Sequence, residues 1–143
     1  MQDIALHLLD LIDNSLRAGA TRIGVRVVED GGADRLCVEL EDNGGGMDED
    51  TLARARDPFF STKPGKPVGL GLALFAQAAR ECGGRLEISS RPGGGTSLRA
   101  TFRPSHPDCK PIGDLEGTMR LLVEAHPEVT FDYEYRTARG GVK

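Results

Sequence analysis

The chain predicts one α/β domain. Three observations carry that expectation: apolar residues at helical spacing over residues 2–18, apolar–polar alternation in several later stretches, and clustered glycines between them. At 143 residues, 38% hydrophobic and 28% charged, the chain is large enough to bury a single core. A net charge of −4 without any basic block argues against a direct nucleic-acid partner. No apolar run approaches the ~20 residues that span a bilayer, and the amino terminus has no basic-then-apolar leader. The expected setting is therefore cytoplasmic, with no membrane partner. Cys37, Cys82 and Cys109 are odd in number and far apart, without metal-site spacing, and read as reduced thiols.

The first element is an amphipathic helix over 2–18, closed by Gly19. At about 100° per residue, Ala5, Leu8, Leu9, Ile12 and Leu16 spread over one side. His7, Asp10, Asn14 and Arg17 fall within an arc of about 80° on the other. Such a column is ordinarily a solvated face. Asp10 and Asn14, one turn apart, also present oxygen atoms that suit a water and a hard cation.

Thr21–Glu29 and Arg35–Glu41 read as strands of a hairpin turned at residues 30–34. Asp48 caps a short helix to Arg56. Residues 57–68, with three prolines, two phenylalanines, two lysines and no sustained period, form a long loop. A helix opens at Gly69-Leu70-Gly71-Leu72 and ends at Gly83-Gly84. Its glycine-bordered start, preceded by Lys63 and Lys66, suits a phosphate, although a helix that merely follows a loop looks the same. Leu86, Ile88 and Ser90 alternate in one further strand, and Leu98, Ala100 and Phe102 in the next. The tail adds a helix over Asp114–Ala125 and a strand over Val129–Tyr135, both expected to pack on the main sheet.

The stretch that asks for a function is Glu41-Asp42-Asn43-Gly44-Gly45-Gly46-Met47. Leu36, Val38 and Leu40 alternate with polar neighbours, so Asp42 has the parity of the inward set. A carboxylate aimed inward is costly unless hydrogen bonds reach it, from the protein or from a ligand. The glycines let backbone approach a flat ligand closely. A solvated turn is the plainer alternative. Thr96, at a strand start, has the parity of Leu98 and faces the same interior as Asp42.

Taken in order, these segments resemble the nucleotide-binding boxes of the GHKL superfamily of Bergerat-fold ATPases: gyrase B, heat-shock chaperones, histidine kinases and MutL. The Asp10–Thr21 box is most similar to MutL and gyrase, and the Asp42–Gly46 box to the whole superfamily. Pro58–Lys63 and Gly69–Leu72 resemble the lid and second glycine box of histidine kinases, and Gly93–Thr96 the closing threonine strand. The resemblance covers residues 1–104, with 105–143 a C-terminal extension. It implies a two-layer α/β sandwich whose mixed sheet carries helices on one face, and it implies ATP and Mg²⁺ as ligands.

By the same resemblance Asn14 coordinates Mg²⁺, and Asp42 accepts a hydrogen bond from the adenine amino group, positioned by Thr96. Ala18, Gly44, Gly46 and Met47 border the nucleotide. Lys63 and the N–H groups of Gly69, Leu70, Gly71 and Leu72 cover the phosphates. Asp10 stands where gyrase and MutL have the glutamate general base. The phosphoacceptor helix pair of a complete histidine kinase is missing, so slow hydrolysis or phosphotransfer to a separate protein partner is expected, or else a nucleotide-gated binding module. The whole chain also resembles, more weakly, stand-alone ATP-binding proteins encoded near iron hydrogenases, which implies a partner in hydrogenase or redox regulation.

Overall fold

The computed structural model describes residues 3–46, 70–109 and 112–138. The short helix expected from Asp48 and the loop expected over 57–68 lie outside these residues. In chain order the described elements are α1 (Ile4–Arg17), β1 (Arg22–Asp30), β2 (Arg35–Asp42), α2 (Leu70–Glu81), β3 (Arg85–Ser90), β4 (Thr96–Phe102), α3 (Leu115–Ala125) and β5 (Thr130–Ala138). The strands form one mixed sheet in the order β3-β4-β2-β1-β5. Among the described strands only the β1–β5 pair is parallel, and α3 is the crossover that carries the chain from β4 to β5.

Local chemistry sets the boundaries. Asp3 caps α1 by accepting from the Leu6 N–H at 2.9 Å, and Gly19 leaves the helix at a φ of +85°. Asp114 caps α3 through the Gly117 N–H at 3.0 Å. The β1–β2 hairpin pairs Val25 with Leu40, Val27 with Val38 and Asp30 with Arg35. In its turn, Asp34 takes a φ of +51° and accepts from both the N–H and the hydroxyl of Ser105. Those two bonds hold the Asp34 carboxyl below the usual carboxylate range.

Alternation then sends one set of side chains to each face. Ile23, Val25, Val27, Leu36, Val38, Leu40, Leu98, Ala100 and Phe102 are buried beneath the helices. Phe75 and Ala79 of α2, and Leu115 and Met119 of α3, close over them. The other face carries exposed ion pairs, Arg26–Glu39 at 3.4 Å and Arg26–Glu134 at 3.5 Å among them, which contribute little to stability. A shallow concavity on that face is walled by Arg26, Glu39, Glu41, Asp132 and Glu134, on the side of the sheet away from Asp42.

Two expectations need correction. Cys82 and Cys109 are joined in a disulfide, and only Cys37 is free. Although 27 residues apart, the two meet because the end of α2 docks on the segment leaving β4, with the Arg103 N–H donating to the Cys82 carbonyl at 2.9 Å. His7 is not on a solvated face either. It is 5% exposed, with its ring centroid 6.0 Å from that of Phe75. The buried side of α1 is Ile4, Ala5, His7, Leu8, Leu11, Ile12 and Ser15. Leu9 and Leu16 are only partly covered, so the stripe is rotated from the one that apolar residues alone suggest.

β5 starts at Thr130 and continues three residues beyond the expected Tyr135. Its pairing with β1 makes it an edge of the main sheet, and the Ile112 carbonyl accepts from the Ala5 N–H at 2.8 Å beside the start of α1.

Candidate nucleotide site

Asp42 ends β2 opposite Thr96 of β4, and its carboxylate points to the helix-covered side, half-buried. Two donors meet it there. Ser15 Oγ donates to Oδ2 at 2.6 Å, and the Gly44 N–H donates to Oδ1 at 2.8 Å. Both donors are neutral, and among the described residues no cation pairs with this carboxylate. An ionised carboxylate offers about four acceptor positions, so two remain for a ligand.

The loop after Asp42 is tied down on three sides. Asn43 turns away from the site: its Oδ1 accepts from the N–H groups of Thr21 and Arg22 at 2.8 and 3.0 Å. The Gly45 N–H donates to the Ala18 carbonyl at 2.9 Å, and the Gly93 N–H to the Gly45 carbonyl at 2.8 Å. The glycines are required by these approaches. A Cβ on Gly44 would stand 3.1 Å from both the Cβ and the carbonyl oxygen of Ala18. One on Gly46, where φ is +71°, would stand 2.0 Å from the Arg91 oxygen. Backbone packing thus demands the same residues that close approach of a flat ligand would demand.

The expected contact between Thr96 and the carboxylate is not the one formed. Thr96 Oγ1 lies 2.8 Å from Ser90 Oγ, and the hydroxyl that reaches Asp42 belongs to Ser15. Sequence reasoning missed Ser15. The available signal was its angle: at about 100° per residue it falls at the centre of the buried arc of α1. On the same helix Asn14 is half-buried at the edge of that arc, and Asp10, one turn earlier, is exposed. Asp13 faces elsewhere and pairs with Arg17 at 3.1 Å. Ala18 caps the helix beside the glycine loop. Leu70 and Gly71 begin α2; Leu72 is 4% exposed with its side chain in the core. Met47, Lys63 and Gly69 lie outside the described residues.

The inward carboxylate that ends β2 is tied to α1 through Ser15, and the glycine loop after it is tied to the end of the same helix through Ala18. Residues 2–106 match the family model described as "Histidine kinase-, DNA gyrase B-, and HSP90-like ATPase". The chain belongs to this ATPase family. The mixed sheet with helices over one face is the architecture expected of a GHKL sandwich.

Among the family's curated members, the chain is 35% identical over 109 residues to a putative sensor protein of Shewanella frigidimarina, covering 75% of this chain and 17% of that one. It is 38% identical over 102 residues to the C4-dicarboxylate transport sensor protein DctB of Pseudomonas aeruginosa, covering 68% and 17%. To the sensor protein kinase FleS of the same organism it is 43% identical over 90 residues, covering 62% and 22%. The chain therefore spans about a fifth of the length of these relatives. As a domain of this ATPase family it is of the ATP-binding, histidine-kinase type. The expected link to hydrogenase or redox regulation draws no support from these relatives. Among the described residues no helix is long and apolar enough to cross a membrane.

Proposed function

We propose that the chain binds Mg²⁺–ATP beside α1 at the ends of β2 and β4. It then directs the γ-phosphate slowly to water or to a separate protein, in a regulatory role. The observation that carries this reading is the Asp42 carboxylate, held inward by two neutral donors with acceptor positions left over. An acceptor-only group at that place suits the adenine amino group, a donor, and disfavours the guanine carbonyl.

The other roles extend from it. Asn14 would give the metal its amide oxygen. Among the described residues no three His, Cys, Asp or Glu side chains converge to hold a metal by themselves. Mg²⁺ takes few protein ligands and completes its shell with phosphate and water. Gly44, Gly46 and Met47 would wall the base, and Thr96 would line the cleft floor through Ser90. Lys63 and the N–H groups of Gly69, Leu70, Gly71 and Leu72 would cover the phosphates, where free amides and the helix dipole favour an anion. Asp10 would act as general base toward water.

A nucleotide-gated binding module is the second reading, favoured by Asp10 itself. Its side chain is shorter by one bond, roughly 1.5 Å, than the glutamate of gyrase and MutL. A misplacement near 1 Å costs about 10²-fold in rate. Single-turnover release of phosphate from prebound ATP separates the two. The kinase–ATPase reading expects slow release, or label transferred to an added candidate partner, and loss of both in Asp42→Ala. Binding of ATP without either outcome would favour the gated module.

A further inference from the structure

Ser15 occupies the middle of the buried stripe of α1, where an aliphatic side chain would ordinarily sit. A buried hydroxyl is costly unless it is hydrogen-bonded. In a helix interior its usual partner is the carbonyl one turn earlier. Here it reaches instead across 27 residues of sequence to Asp42 Oδ2 at 2.6 Å, a short bond to a carboxylate. The opposite oxygen is taken by the Gly44 N–H at 2.8 Å. One oxygen is thus fixed from the helix and the other from the loop. The terminal torsion of an aspartate is otherwise broad and two-fold.

Resting on the adenine reading above, we propose that Ser15 is a positioning residue that makes the site discriminate adenine from guanine. A carboxylate free to turn can present both oxygens to two adjacent donors, which is what the ring N–H and exocyclic amino group of guanine offer. With Ser15 and Gly44 each holding one oxygen, the carboxylate cannot turn to bring its two remaining acceptor positions onto two adjacent donors, and the fixed orientation is set to serve the adenine amino group. The hydroxyl spends its only proton on Asp42. It therefore acts on the base through the carboxylate and not as a donor of its own. Thr96, paired with Ser90, leaves this task to the helix.

The test is calorimetric titration of the full chain with Mg²⁺–ATP and Mg²⁺–GTP in the parent, Ser15→Ala, Ser15→Cys and Ser15→Thr, with circular dichroism to confirm folding. Ser15→Ala should weaken ATP about tenfold while GTP holds or tightens, so that the ratio of the two affinities falls by about tenfold or more. Ser15→Thr, which keeps the hydroxyl, should restore the ratio. If Ser15→Ala does not fold, Ser15→Cys carries the same expectation, since a thiol of similar size is a weak donor. Equal weakening of both nucleotides, or no change in either, would overturn the proposal and leave Ser15 a packing residue. A parent that binds ATP and GTP alike would instead overturn the adenine reading beneath it.

Discussion

Asp10 and Asn14 share one face of α1 but sit at different depths, Asn14 half-buried and Asp10 exposed. Their roles therefore separate by experiment. Asp10→Asn should remove residual ATP turnover while leaving ATP affinity nearly intact. Asn14→Ala should weaken the Mg²⁺-dependent part of binding itself. Asp13→Asn serves as control, because Asp13 is spent on an exposed pair with Arg17 worth well under ~1 kcal/mol. If Asp13→Asn abolished turnover and Asp10→Asn did not, the general base would have been assigned to the wrong carboxylate. Asp42 was legible at this scale because strand parity is strict: one residue in two points inward, whatever its chemistry. Ser15 and His7 were not. On a helix the buried arc is inferred from which residues are apolar, and two polar side chains inside it rotate the inferred stripe away from the real one. His7 thus reads with the solvated residues although it packs near Phe75, and nothing in the apolar pattern singles out Ser15.

Between elements, the sequence showed strands and helices well where the period was unbroken and caps were present. Asp3, Asp114 and Gly19 close their helices as capping chemistry predicts. What it did not show was contact between segments distant in the chain. The disulfide is the clearest case, because the proximity of Cys82 and Cys109 depends on how α2 lies across β4 and not on any spacing motif. Its closed loop of 27 residues should contribute about 3 to 4 kcal/mol on a loop-entropy estimate. For a domain of this size that is a melting-temperature difference of roughly 10 °C. Thermal unfolding with and without a thiol reductant measures it directly. The melting temperature should drop on reduction, and Cys109→Ser should show the lower value with no further response to reductant. Identical melting of the oxidised, reduced and Cys109→Ser proteins would mean that the bridge does not stabilise the fold.

In the whole molecule, the sheet carries two different surfaces. One is an apolar floor under α1, α2 and α3; the other is a lattice of exposed charges including Arg26, Glu39 and Glu134. The family model ends at residue 106, yet α3 and β5 lie beyond it and complete the same sheet against β1. The α/β class was readable from alternating periods, whereas the strand order was not, since a parallel β1–β5 pair joins the two ends of the chain. The proposed site depends on this arrangement: α1 is held by the sheet below, the Ile112 carbonyl at its start and the glycine loop at its end, and Ser15 of that helix meets Asp42. Equilibrium titration of the parent and Asp42→Ala with Mg²⁺–ATP shows whether adenine nucleotide binds through Asp42. Saturable one-to-one binding by the parent is expected, with a loss of about 10- to 100-fold in the folded Asp42→Ala protein. ATP binding of undiminished affinity to Asp42→Ala would contradict it.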